Sequence, residues 1–158
     1  MQTKPPEGRR KKPADELQAE ELQLVFEPLP DDELVRFLED NIVNYNFART
    51  GISDWFPVGF FLRSERGEWL GGCTGYIWGG WLHIRFLWIA GALRGQRHGT
   101  RLMDAAEEYG RERGAFSSTL ETHSFQARDF YLKRGYTVFG TLEDYPPGHT
   151  KYFLRKRL

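Results

Sequence analysis

The stretch LHIRFLWIAGALRGQRHGTRLM, residues 82–103, runs from an apolar, strand-like segment into a helical pattern. Its junction holds Gly95 and Gly99 among Arg94, Arg97, His98 and Arg101, with no acid before Asp104. The first amides of a helix lack intrahelical partners, and the helix dipole gives that end a positive potential, so such a junction suits a phosphate. On its own it fits a solvated, Gly-containing turn equally well. The surrounding sequence has to decide.

Within this stretch Leu82 and Ile84 share one face of a strand, but the next aliphatics, Leu87 and Ile89, fall an odd step further on. A one-residue bulge near Arg85 and Phe86 restores a single apolar face. Upstream, Phe56 to Arg63 and Glu68 to Trp78 are aromatic and β-branched runs set off by SERGE and GG, so with Trp81 to Ile89 they predict three antiparallel strands. Downstream, Leu102, Ala105, Ala106 and Tyr109 line one side of a helix that stops at Gly114. Phe116 to Thr122 is the next strand, FQARDFYLKRG a short helix, and Tyr136 to Leu142 and Tyr152 to Leu158 a final pair joined by EDYPPGH. Ahead of the meander, Leu22 to Phe26 reads as a short strand, followed by helix to about Arg49 behind an N-cap acid.

The chain has 158 residues, 40% of them hydrophobic, enough for one domain with a substantial core over residues 21–158. Residues 1–20 are Pro-rich and charged and read as a flexible tail. Zero formal charge argues against a general affinity for nucleic acid or anionic membrane. A lone Cys73 excludes an intramolecular disulfide and reads as strand packing, and the lack of a leading apolar stretch makes a cytoplasmic protein the expectation. His83, His98, His123 and His149 have no metal-ligand spacing, so no metal site is expected.

A mononucleotide P-loop would need Gly-Lys-Ser/Thr, which is missing. A Rossmann fingerprint would need G-x-G-x-x-G in a parallel βαβ unit, whereas here G-x-x-x-G follows an antiparallel meander. The order of elements instead resembles the GNAT superfamily of acetyl-CoA-dependent N-acyltransferases, in particular its small bacterial single-domain members. The family's Q/R-x-x-G-x-G/A signature falls on Arg94-Gly95-Gln96-Arg97-His98-Gly99, with Arg97 in place of the first glycine. SFQARDFYLKRGY, residues 124–136, matches a second signature, with Ser124 in place of the usual Asn.

The resemblance implies an α+β fold with a mixed, mostly antiparallel sheet, a bulged and splayed central strand and flanking helices. It implies acetyl-CoA as co-substrate and an amine acceptor. Arg94, Gly95, Gln96, Arg97, His98, Gly99 and Thr100 would meet the pyrophosphate. Backbone groups of Leu87 and Ile89, with Ser124, Ala127 and Tyr131, would meet the pantetheine arm. The family often places a carboxylate at the bulge, where this chain has Arg85 and Phe86. Glu121 and His123 are then the candidates for amine deprotonation, with a solvated or structural pair as the alternative, and Tyr131 is the candidate general acid. Tyr45, Phe47, Trp55, Phe60, Tyr76 and Trp78 are candidates for an acceptor pocket or for core. The competing functions are a CoA-binding sensor without turnover and a nucleic-acid-associated module that uses residues 9–12. Exposed edge strands would allow a homodimer.

Overall fold

The computed structural model of the chain describes residues 22–158, which divide into two compact units, residues 22–45 and Asn46–Leu158. The sequence reading of residues 1–20 as a tail lies outside the described residues. In the first unit, residues 22–26 form no strand, contrary to the expectation from their composition. Apolar residues make a strand only where a neighbour completes the ladder, and none of the described strands pairs with this segment. Helix α1 (Asp32–Thr50) begins here, and the Asp31 carboxylate caps it by accepting a hydrogen bond from the Leu34 amide at 2.8 Å.

The second unit is built on six strands, β1 (Trp55–Arg63), β2 (Trp69–Trp78), β3 (Trp81–Ile89), β4 (Ser117–His123), β5 (Thr137–Leu142) and β6 (Lys151–Arg157), in the order β1-β2-β3-β4-β6-β5. Every pairing is antiparallel except β3 with β4. A parallel pair needs a crossover, and α2 (His98–Glu112) supplies it. Leu102, Met103 and Ala106 of α2 are buried together with Leu82 and Ile84 of β3 and Leu120 of β4. Helix α3 (Arg128–Lys133) follows β4 and buries Tyr131.

The bulge inferred from parity is present. Thr74 pairs with Phe86 and Gly75 with Ile84, which leaves Arg85 as the extra residue of β3. The kink also ends the parallel ladder. β4 pairs with β3 only from Trp81–Ser117 to Ile84–Leu120, although both strands continue past that point. The two diverge there and leave a wedge between residues 85–89 and 121–123.

One buried carboxylate ties the crossover to the later elements. Glu107 of α2 is 2% exposed and lies 2.6 Å from Lys156 Nζ of β6, 3.2 Å from Arg134 Nη2 and 3.2 Å from the Tyr136 hydroxyl. Two close cations and a phenol satisfy it, with Arg111 a third cation at 3.9 Å, as a buried charge requires.

Gly75 accommodates the bulge. A Cβ there would meet the His83 carbonyl oxygen at 2.0 Å, and that atom is backbone and cannot rotate away. Gly75→Ala is therefore expected to lower stability by about 1–3 kcal/mol, the cost of overpacking. Urea denaturation measures it, and a midpoint equal to that of the parent protein would contradict the account of the bulge.

Candidate active site

The wedge opens into a groove of about 1130 Å³ whose walls are β3 from Ile84 to Ile89, the α2 N-terminus, the end of β4 and α3. Its backbone is exposed for a simple reason of parity. The Ala90 amide donates to the Leu70 carbonyl at 2.9 Å, so alternate residues of β3 face β2 and the amides of Leu87 and Ile89 face the groove. β4 is no longer there to pair with them. The Ile89 carbonyl accepts a hydrogen bond from Arg94 Nε at 3.1 Å, which leaves Leu87 as the residue whose carbonyl and amide both face the open side.

At the next corner the α2 N-terminus meets the groove. Arg97 is its N-cap, with φ 63° and ψ 8°, and supplies no side-chain cap. The amides of His98, Gly99 and Thr100 precede the first intrahelical bond, from Arg101 N to Arg97 O, so they are left for an anion. His98 Nδ1 is buried with no partner in the protein, and His98 lines the same groove. A polar atom left unpaired in this way is costly unless a ligand satisfies it. Arg85, Arg94, Arg97 and Lys133 add positive charge to the walls, and Glu121 is the sole acid among the described residues that line them. The donors, the charge and the orphaned nitrogen all suit a phosphate-bearing ligand with an extended polar arm.

Of the expected cofactor residues, Leu87, Ile89, Arg94, Gly95, Arg97, His98, Gly99, Thr100, Ala127 and Tyr131 all line the groove. Gln96 and Ser124 do not. The Gln96 amide turns back to the Ala92 carbonyl at 2.9 Å, and Ser124 Oγ lies 3.3 Å from His149 Nδ1 and accepts the Thr150 amide at 3.2 Å.

Tyr131 is 7% exposed, and burial followed by the nearby Cys73 thiol pushes its pKa up to about 12. It is therefore a neutral donor at neutral pH. Cys73 is fully buried and pushed up to about 12 by burial and by Glu107, so it is a packed thiol and not a nucleophile.

Glu121 and His123 share one face of β4, as their spacing predicts, but their surroundings differ. Glu121 lines the groove and pairs with Lys151. His123 does not line it; its ring is stacked against Phe125 at 5.1 Å and Tyr145 at 5.8 Å, with Gln126 Oε1 3.3 Å from Nδ1. Among the strand aromatics, Phe60 packs against the core, while Trp55 and His83 stack on either side of Tyr76. Their enrichment reflects the sheet itself. Lys151 meets Glu121 without any local signal in the sequence, because the β4–β6 register brings it there, and Tyr145 stacks on the neighbouring His123.

The left-handed N-cap explains why glycine suits this position. For an L-residue that conformation costs roughly 1–2 kcal/mol. Arg97→Gly also gives the unfolded chain freedom worth about 0.4–1 kcal/mol. The net expectation is a gain of up to about 1.6 kcal/mol in chemical denaturation. A loss of stability would contradict the strained cap.

Comparison with known proteins agrees with this geometry. The profile of the acetyltransferase (GNAT) family matches residues 15–136. Blasticidin-S acetyltransferase of Streptomyces morookaense is 43% identical over 114 residues, covering 70% of this chain and 84% of that one. An acetyltransferase of Agrobacterium fabrum is 31% identical over 136 residues, 86% of this chain and 99% of its own. A crystal structure from Agrobacterium tumefaciens superimposes with a TM-score of 0.82 at 31% identity, over 87% of this chain and all of the other.

Proposed function

The chain belongs to the acetyltransferase (GNAT) family, and from that premise we propose that it transfers acetyl from acetyl-CoA to a primary amine of a small-molecule acceptor. The observation that carries the proposal is the continuity of one groove. It runs from three uncapped helix amides, along the open edge of β3, to a buried tyrosine and the one carboxylate that lines it among the described residues. A pyrophosphate suits the first part, an amide-bearing arm the second and a thioester the third.

In this reading the amides of His98, Gly99 and Thr100 hold the pyrophosphate, with Arg94 and Arg97 adding charge from either side. Leu87 pairs through its backbone with the pantetheine amides in the manner of an added strand. Acetyl-CoA brings a thioester whose sulfur can leave. The acceptor amine must reach it neutral and attack the carbonyl carbon; the N–C bond forms, the C–S bond breaks, and the departing thiolate takes a proton. Tyr131 supplies that proton. Glu121 stands at the acceptor end as base or as the group that positions a water. The relative of 43% identity acetylates blasticidin S by its name, so blasticidin S is the first acceptor to offer this protein.

The direct test is release of CoA thiol from acetyl-CoA on addition of blasticidin S, extended to a panel of other amines. Thiol release with at least one amine supports the reading. Tight binding of acetyl-CoA with no release for any amine would make the protein a sensor.

Tyr131→Phe keeps the buried ring and removes the donor. An alkyl thiol leaves tolerably well unaided, with a pKa of about 8.5 by analogy with cysteine, so the expected loss in kcat is about ten- to a hundredfold, with acetyl-CoA affinity little changed. The folded pKa of Tyr131 lies above the ordinary 10.0, so the donor persists through that value and is lost only as pH rises through about 12. The ratio of wild-type to variant kcat should accordingly stay constant between pH 7 and about 10. A Phe variant with full kcat, where chemistry limits the rate, would return Tyr131 to the core.

A further inference from the structure

Lys151 makes an arrangement that the proposed reaction does not yet use. On the antiparallel β4–β6 ladder Glu121 pairs with Phe153 and His123 with Lys151, so all four side chains share one face. Lys151 reaches diagonally to the Glu121 carboxylate. Its ammonium also lies 5.2 Å from the centre of the Tyr145 ring and 5.3 Å from that of Phe153. One carboxylate and two aromatic rings around a primary ammonium form a recognition site for that chemical group. The carboxylate that completes the site is also the only acid lining the groove among the described residues. The Lys151 side chain is 16% exposed, whereas that of Glu121 is 54% exposed, so the occupant is covered while its carboxylate stays within reach of the groove.

We propose that Glu121, Tyr145 and Phe153 form the ammonium subsite of the acceptor and that Lys151 is its built-in occupant, which restricts acceptors to amines able to displace the ε-ammonium. The proposal rests on the reading that the acceptor amine reacts beside Glu121. An ion pair to a half-exposed carboxylate is weakly held, so an incoming ammonium can exchange with Lys151. Once seated, the amine passes a proton to Glu121 or to solvent, its nitrogen attacks the acetyl carbon, and CoA departs as the thiol after protonation. The product is a neutral amide. It has no charge to offer Glu121, so once Glu121 has passed any proton it took to solvent, Lys151 returns to the carboxylate and displaces the amide. The same residue thereby sets an entry threshold for amines and favours release of the acetylated product.

Truncating Lys151 to Ala keeps Cβ and removes three carbons and the nitrogen, the heavy atoms of n-propylamine. The Lys151→Ala protein should acetylate n-propylamine at least tenfold faster than wild type, read as CoA thiol release and as the mass of N-propylacetamide. Adding Glu121→Gln should abolish the gain. Lys151→Ser is a second truncation with the same expectation, and Lys151→Met, whose unbranched stem fills the vacated space, should show none; thermal melting verifies that each is folded. Equal rates in the wild type and both truncations, or a gain that survives Glu121→Gln, would overturn the proposal. If wild type binds acetyl-CoA and acetylates another amine while both truncations ignore n-propylamine, this inference alone fails. A protein that binds no acetyl-CoA would sink the acetyltransferase reading beneath it.

Discussion

The interruption of one ladder organises the rest of the molecule. A single unpaired residue, Arg85, lets β3 kink opposite Gly75 and part from β4 after Ile84. Up to that residue the β3–β4 ladder is continuous, and its buried Leu82, Ile84 and Leu120 pack with α2. Beyond it the same strand keeps β2 as a neighbour on one side and has none on the other. Backbone groups in that state need a partner, and a ligand with its own amides can provide one. The groove is therefore a consequence of strand register, and its lining side chains remain free to pack against the core.

Electrostatics then divide the groove by task. The α2 end collects helix amides, arginines and the orphaned His98 nitrogen, all suited to negative charge. The β4 end carries the single lining carboxylate among the described residues, Glu121, already matched by Lys151, with Arg85 on the facing strand. Tyr131 lines the same groove, and burial keeps its phenol protonated to higher pH than usual. Tyr131 owes its placement to α3, whose end is fixed through Arg134 to Asp104 at 2.7 Å and to Glu107 at 3.2 Å. The buried Glu107 cluster thus joins α2, whose first amides face the groove, to α3, which carries Tyr131.

Much of this was legible in the sequence, and for identifiable reasons. The odd step from Ile84 to Leu87 can only mean a bulge if one apolar face is to be kept, and the bulge lies at Arg85 as the step requires. The glycine-containing junction announced the helix start, and the structure adds that Arg97 stands in a left-handed conformation where a glycine would be at ease. What could not be read was non-local. Residues 22–26 have strand composition but no ladder partner among the described residues, and composition cannot report a partner. Gln96 and Ser124 lie within the two signature segments, yet their side chains are taken up by Ala92 and by His149 with Thr150. Lys151 lies thirty residues from Glu121 in sequence and meets it only through the β4–β6 register.

The central claim is that the register break at Arg85 creates the acetyl-CoA site. A crystal structure of the protein with bound acetyl-CoA tests it most directly. The account predicts pyrophosphate oxygens within hydrogen-bonding distance of the His98, Gly99 and Thr100 amides, and a pantetheine arm paired with the Leu87 backbone inside the wedge between β3 and β4. Acetyl-CoA bound elsewhere, with the wedge closed or filled by solvent, would contradict it.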